Sequence, residues 1–278
     1  MQSRSRSAEE NVKARGIVSM TMVAPKGKIE RGEIQPLFMQ IIRRHCIPLH
    51  AVAADYHGTG NAKFTGGSAL LWETICGRFF VTAFHVWQEL ARLTQGPLAK
   101  SRLLTYDLNG PILIHLPRLI DASEELDIAV FDVPGIKDFS PAGKAFLQNL
   151  SWPTPPAQSD EMIVGCGYPG ELRKQRGEQY EQGILVWAHR QCSVSKTGSR
   201  LLLDGNSGKG KASYFTKETP KALGLPGISG APLFALRDTL DWVGIVRSGS
   251  GTPPNGYSIQ ATPSGFVDPD GHIRCPTP

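Results

Sequence analysis

The 278-residue sequence contains no hydrophobic run long enough to cross a membrane. A membrane-spanning helix needs roughly 18 or more consecutive apolar residues, and charged or turn-forming residues interrupt every apolar stretch here. The amino-terminal segment MQSRSRSAEENVKARG has basic residues without an apolar core behind them, so it does not resemble a secretory signal. We therefore expect a cytoplasmic chain with no membrane partner.

Cysteine is sparse, and its spacing does not suit a metal site. The five cysteines are odd in number and include no C-x-x-C pair: Cys46, Cys76, Cys166, Cys192 and Cys275. Because no export signal is present, they are most simply reduced thiols inside a cell. We expect neither a disulfide framework nor a bound metal.

The excess of positive charge is small and dispersed. The chain has 30 lysines and arginines against 25 aspartates and glutamates, a net charge of +5 and a pI near 9.0. Short basic clusters occur at Arg43–Arg44 and in ELRKQRGE, and SRSR stands near the amino terminus. A nucleic-acid-binding module, which would bind in a salt-sensitive manner, is therefore the most weakly supported of the function classes.

Short apolar runs separated by turn residues dominate the chain from about residue 46. The 30 glycines and 21 prolines make up roughly 18% of the residues, above the average of about 12%, as expected where many turns join short strands. An antiparallel sandwich or barrel is indicated, rather than alternating βαβ units. Twelve runs predict strands: CIPLHAVAA, SALLWETI, RFFVTAF, PILIHL, DIAVFDV, EMIVGCGY, GILVWAHR, RLLLD, ASYFT, APLFAL, WVGIVR and GYSIQAT.

A segment rich in proline and polar residues divides these runs into two roughly equal groups. It predicts a linker over residues 136–160 between two β-domains, residues 46–135 and 161–278. Helical spacing is limited to IQPLFMQIIRRH, HVWQELARLT and PAGKAFLQNL. We expect residues 1–45 to form a partly disordered extension that includes at most a short helix.

Two glycine motifs lack the context that a cofactor site requires. GCGYPG matches G-x-G-x-x-G, but the segment after Pro169 has almost no apolar face for the helix that would hold a pyrophosphate. GNSGKGKA has Ala212 where a phosphate loop needs serine or threonine. We expect no cofactor.

One serine, Ser229, stands in a glycine-rich turn directly before an apolar run, in GLPGISGAPLF. Acyl transfer by serine needs a histidine to take the hydroxyl proton, a carboxylate to orient the histidine, and backbone N–H groups to hold the oxyanion. His85 ends the apolar run RFFVTAFHV, and Asp127 begins the apolar run in EELDIAVFDVP. We predict Ser229 as nucleophile, His85 as base and Asp127 as orienting group, with the N–H groups of Gly227 and Ser229 as an oxyanion hole.

TAFHV, DIAVFDV and GISGAPLF, in this order, resemble the signature segments of trypsin-like (chymotrypsin-fold) serine peptidases. TGGSALLW, IVGCGYPG and DWVGIVRSGSG resemble further strands of that family, so the similarity extends over roughly residues 46–262. The resemblance implies an all-β fold of two six-stranded antiparallel β-barrels with short helices, and an active site between the barrels.

Two departures from secreted members of the family imply the bacterial and viral branch. Val86 follows the histidine where those members often have a cysteine, and Ile228 precedes the serine where they often have an aspartate. The resemblance therefore implies no disulfide at Val86 and no activation by binding of a processed amino terminus.

The resemblance places the substrate pocket at Leu223, Arg247, Ser248 and Gly249. Leu223 stands where tryptic members have an acidic pocket residue, so cleavage after lysine or arginine is not implied. Arg247 replaces a small polar residue, and three orientations stay open. It can pair with Asp127, turn into the pocket and favour an acidic or polar substrate residue, or point to solvent.

The leading hypothesis is a monomeric serine endopeptidase that cleaves a protein or peptide substrate through an acyl-enzyme intermediate. The alternative is a catalytically silent or gated trypsin-like domain that binds a peptide or protein partner. The complete triad favours the first hypothesis, and Arg247 keeps the second open.

Overall fold

The computed structural model describes residues 42–53, 65–94, 101–107, 110–114, 117–132, 143–148, 152–176, 179–190, 192–195, 198–204, 213–215, 225–251 and 256–275. Within these ranges, strands form two eight-stranded sheets and one two-stranded sheet, with few helical residues. The all-β fold class predicted from the sequence is confirmed, whereas each of the two large sheets has eight described strands and not the six expected of each barrel.

The first sheet is built from the amino-terminal group of strands. Its members are β1 (Cys46–Ala53), β2 (Thr65–Glu73), β3 (Arg78–Thr82), β4 (Ser101–Asp107), β5 (Gly110–Leu113), β6 (Arg118–Ser123), β7 (Ile128–Asp132) and β8 (Leu147–Gln148). They pair in the order β5-β4-β1-β2-β3-β7-β6, all antiparallel, and β8 adds to β2 in parallel. The central strands β3 and β7 are almost wholly buried, because both faces are covered, and this accounts for their continuous apolar runs.

The second sheet is built from the carboxyl-terminal group of strands. Its members are β9 (Met162–Gly167), β12 (Leu185–Arg190), β13 (Ser193–Val194), β14 (Leu201–Asp204), β15 (Ser213–Phe215), β16 (Pro232–Leu236), β17 (Leu240–Gly251) and β18 (Tyr257–Pro263). The antiparallel order is β13-β14-β18-β17-β16-β9-β12-β15, and a separate hairpin joins β10 (Arg173–Arg176) to β11 (Gln179–Gln182).

All twelve predicted runs contain an observed strand, but six further strands have no counterpart in the prediction. These six are rich in polar or charged residues or span only two residues, so a search for continuous apolar runs does not find them. They are β4, β6, β8, β10, β11 and β13. The short β8 lies within the predicted linker segment 136–160.

The helix predicted over HVWQELARLT is confirmed as α1 (Phe84–Thr94), which buries Val86, Trp87 and Leu90 on one face. The helix predicted over PAGKAFLQNL is wrong for its described residues, because Gly143 has a φ of 66° and Leu147 enters β8. Residues 42–44 are helical, whereas the rest of the early segment lies outside the described residues. No described helix is both long enough and apolar enough to cross a membrane.

A cluster of three tryptophans joins the two sheets. Trp72 from β2 lies with its ring centroid 5.1 Å from that of Trp242 on β17, and Trp152 stacks within 5.4 Å of Trp242. These rings belong to a larger hydrophobic core that includes buried residues of both sheets. Burial of large aromatic side chains is a major source of stabilisation. This shared hydrophobic core therefore holds the two sheets against each other.

Two further groups connect the segment before β8 to both sheets. The Nζ group of Lys144 donates hydrogen bonds to the carbonyl oxygens of Arg43 and Cys46 and to the hydroxyl of Tyr168, at 2.6, 2.7 and 2.7 Å. Burial lowers the pKa of this ammonium group. His45 lies with Nδ1 2.8 Å from the carbonyl oxygen of Ala145, and burial lowers its pKa to about 4. The five cysteines are all free thiols.

Candidate active site

His85 lies in the first turn of α1, which follows β3 after one residue. Its backbone N–H donates to Asp127 Oδ1 at 3.0 Å, and its ring Nδ1 lies 3.0 Å from both carboxylate oxygens of Asp127. An Nδ1–H that donates to the carboxylate leaves Nε2 of the neutral ring as an acceptor. Because the side chain is 52% exposed, this acceptor is available to a substrate or nucleophile.

Asp127 ends a tight turn just before β7. Its backbone N–H donates to the carbonyl oxygen of Glu124 at 3.1 Å, and its φ of 51° makes it the one described non-glycine residue in the left-handed region. This conformation costs roughly 1–2 kcal/mol for an L-residue, although aspartate tolerates it better than most. Such strain is typical of functional positions. Its effect here is to turn the carboxylate, which is 15% exposed, towards His85.

Arg247 is the second cation beside this carboxylate. Its Nε lies 3.9 Å from Asp127 Oδ2, and its side chain is 19% exposed. The Arg247 side chain therefore lies beside Asp127 and also lines the cleft, so it combines the first two orientations that the sequence leaves open and does not extend into bulk solvent. The separation is that of an ion pair and too long for a hydrogen bond, so Arg247 acts on Asp127 through its charge.

Ser229 stands in the loop between Leu225 and β16. Its hydroxyl donates to the backbone carbonyl oxygen of Arg247 at 3.0 Å. Within the described part of the chain it makes no hydrogen bond to His85. Both residues nevertheless line the same cleft, which has a volume of about 450 Å³ and also contains Asp127.

Close backbone packing holds the serine loop in place. The carbonyl oxygen of Ser229 accepts a hydrogen bond from the N–H of Ser68 on β2 at 2.8 Å, and Gly230 donates to Val246 on β17 at 2.8 Å. Gly230 has a φ of 84°, and a Cβ there would overlap the carbonyl oxygen of Ser68 and the hydroxyl of Thr82. Glycine is therefore required at this position for the serine to reach the cleft.

The two amides predicted to bind an oxyanion have no protein acceptor among the residues described. Gly227 has a φ of 95°, and neither its N–H nor that of Ser229 donates to another group, whereas the intervening Ile228 N–H donates to Leu225. A Cβ at Gly227 would lie 2.7 Å from the Gly170 nitrogen, so the turn is also too tight for a side chain. The proposed oxyanion hole therefore has two donors free to bind.

The cleft contains most of the predicted pocket and several residues that the sequence analysis missed. Ser248 and Gly249 line it together with Arg247, while Leu223 lies outside the described residues. The missed lining residues are Arg200, Leu225, Pro226 and Gln260. Only the register of β14 with β18 and β17 brings Arg200 and Gln260 here, and no local motif marks them. In the described ranges, no group of three or more metal-ligating side chains occurs.

No protein-family model and no curated protein sequence matches the chain. Among solved structures it is similar to one described as "Aromatic interactions drive the coupled folding and binding of the intrinsically disordered Sesbania mosaic virus VPg protein", with 16% identity, a TM-score of 0.42, and coverage of 80% of this chain and 93% of that chain. It is also similar to the apo MamO protease domain from Magnetospirillum magneticum, with 9% identity, a TM-score of 0.41, and coverage of 80% and 93%. A third similar structure is the serine protease domain of the Sesbania mosaic virus polyprotein, with 17% identity, a TM-score of 0.40, and coverage of 77% and 86%.

Proposed function

We propose that the chain is a serine endopeptidase in which Ser229 is the nucleophile, His85 the general base and acid, and Asp127 the orienting carboxylate. The observation that carries the proposal is the contact of His85 Nδ1 with both oxygens of Asp127, in the same cleft as Ser229. This contact selects the tautomer with a free Nε2 and stabilises the imidazolium that forms during proton transfer.

The reaction begins when the Ser229 hydroxyl rotates from the carbonyl of Arg247 to His85 Nε2. His85 takes the proton as Oγ attacks the peptide carbonyl carbon, and the N–H groups of Gly227 and Ser229 hold the resulting oxyanion. The imidazolium then protonates the departing amine, and the C–N bond breaks to leave an acyl-enzyme. A water molecule, deprotonated by His85, attacks the ester and releases the carboxylic acid and the free serine.

An open strand edge beside the cleft supports a peptide as substrate. The pairing of β17 with β16 ends at Pro232 and Ile245, whereas its pairing with β18 continues from Ser248 to Gly251. Within the described residues, the other edge of β17 beyond Val246 therefore has no strand partner. An extended peptide can pair with such an edge and place its carbonyl near Ser229.

A specific observation favours the alternative of a gated or silent domain that binds a peptide or protein. The resting Ser229 hydroxyl is occupied by Arg247, whose side chain also competes with His85 for Asp127. In that case, the cleft would hold a peptide without cleaving it.

Labelling by a fluorophosphonate probe tests the proposed nucleophile directly. We expect the wild-type protein to be labelled, and Ser229→Ala and His85→Ala to lose the label. Ser258→Ala, a serine on β18 outside the cleft lining, is the matched control that keeps it. A wild-type protein that stays unlabelled while it still binds peptides would favour the gated domain.

A further inference from the structure

Three polar side chains lie next to one another on one wall of the cleft. Gln260 on β18 pairs with Ser248 on β17 and with Leu202 on β14. Residues directly opposite each other in a sheet share a face, and so do residues two apart along a strand. Arg200 directly precedes β14, and its carbonyl oxygen accepts a 2.9 Å hydrogen bond from the N–H of Ser195, which extends the pairing of β13 with β14 by one residue. Because it precedes Leu202 by two positions in this extended segment, it lies on the same face as Gln260 and Ser248. All three line the cleft.

The guanidinium of Arg200 is an unpaired cation within the described part of the chain. It has no hydrogen bond or ion pair there, in contrast to Arg237, which binds both Glu161 and Asp241. Of the described residues that line the cleft, Asp127 alone is acidic, and it already contacts His85 and Arg247. The Arg200 wall, meaning Arg200, Ser248 and Gln260, therefore has positive charge without a counter-ion among the described residues.

The hydrogen-bonding groups of this wall match an anionic acceptor. Arginine has five N–H donors and no acceptor, and glutamine and serine add an amide and a hydroxyl donor. A carboxylate accepts hydrogen bonds only and can bind guanidinium in bidentate fashion. We propose that the Arg200 wall is a subsite that selects an aspartate or glutamate side chain of the peptide bound in the cleft. The assumption that a peptide binds in the cleft rests on the proposed function.

A binding experiment that needs no catalysis tests this subsite. Octapeptide pools, each with one residue fixed at one position and the others randomised, are titrated against Ser229→Ala. We expect pools with aspartate or glutamate at one position to bind about tenfold more tightly than pools with lysine there, as a charge-assisted hydrogen bond would give. Arg200→Gln should abolish this preference, and Arg200→Glu should reverse it to lysine and arginine. Thermal unfolding checks that these variants fold.

Arg92→Glu is the matched control, because it reverses an exposed arginine on α1 outside the cleft lining. In the Ser229→Ala background it should leave the acidic preference unchanged. Equal affinities of Ser229→Ala and its Arg200→Glu variant for every peptide pool would overturn the subsite, as would the absence of any peptide binding. Displacement by a short oligonucleotide but not by a glutamate-rich peptide would also overturn it, in favour of a phosphate ligand.

Fluorophosphonate labelling of the wild type separates this proposal from the proposed function. A labelled wild type without acidic preference would refute the subsite and leave the peptidase proposal standing. An unlabelled wild type whose Ser229→Ala form prefers acidic peptides would refute the peptidase proposal and support the subsite as part of a peptide-binding cleft.

Discussion

The hydroxyl of Ser229 donates a 3.0 Å hydrogen bond to the backbone carbonyl of Arg247, while the side chain of the same arginine lies beside Asp127. One residue therefore contacts both the proposed nucleophile and the proposed orienting group. Because these contacts come from different atoms of Arg247, backbone and side chain, substitution changes the effect on Asp127 and leaves the carbonyl in place.

Arg247→Ser should raise the rate of fluorophosphonate labelling by about three- to tenfold, because a nearby cation disfavours the imidazolium that forms on His85. Arg247→Lys keeps the positive charge and should label at close to the wild-type rate. The measurement is the second-order labelling rate at low salt. A slower rate for Arg247→Ser would mean instead that the arginine holds Asp127 in position.

Gly230→Ala should destabilise the protein by at least about 2 kcal/mol, because the added methyl group requires both a strained φ and a shift of β2. Gly265→Ala is the matched control, since a Cβ there meets nothing within 4 Å. The measurement is the free energy of unfolding of each variant in urea. Equal stability would show that the loop can retreat from Ser68.

His45 should make stability depend on pH between about 6.5 and 4. Burial lowers its pKa to about 4 in the folded chain, whereas an unfolded histidine has a pKa near 6.5. The unfolded state therefore takes up a proton first as the pH falls. The stabilisation that is present above pH 6.5 declines towards pH 4, by up to about 3 kcal/mol.

The comparison of His45→Gln with the wild type isolates this contribution from those of the other histidines. Urea unfolding at several pH values gives the free energy of unfolding of each protein, and the difference between the two should shrink as the pH falls through this window. Parallel curves would contradict the prediction.

Lys144→Met should destabilise the protein by roughly 2–4 kcal/mol, because three oxygen acceptors lose a charged donor in a buried site. A double-mutant cycle with Tyr168→Phe measures the part that belongs to the 2.7 Å contact between Nζ and the phenolic hydroxyl. Additive effects of the two substitutions would show that this contact contributes nothing.

Most of the fold could be predicted from the sequence, and the errors have a common physical cause. Strands buried on both faces, such as β3 and β7, can be predicted from their continuous apolar runs. Strands such as β6, RLIDAS, mix polar and apolar residues, and PAGKAFLQNL has helical spacing although its end pairs with β2. For these segments, the partner rather than the local pattern decides the conformation.

The amino-acid sequence by itself determined the all-β class and the helix that includes His85, because apolar runs are local signals. The same local signals and the glycine turn predict His85, Asp127 and Ser229 as catalytic residues. Tertiary structure alone decided that Arg247 faces Asp127 and that Arg200 and Gln260 share the cleft. These neighbours are far apart in sequence, and strand register together with loop packing brings them together.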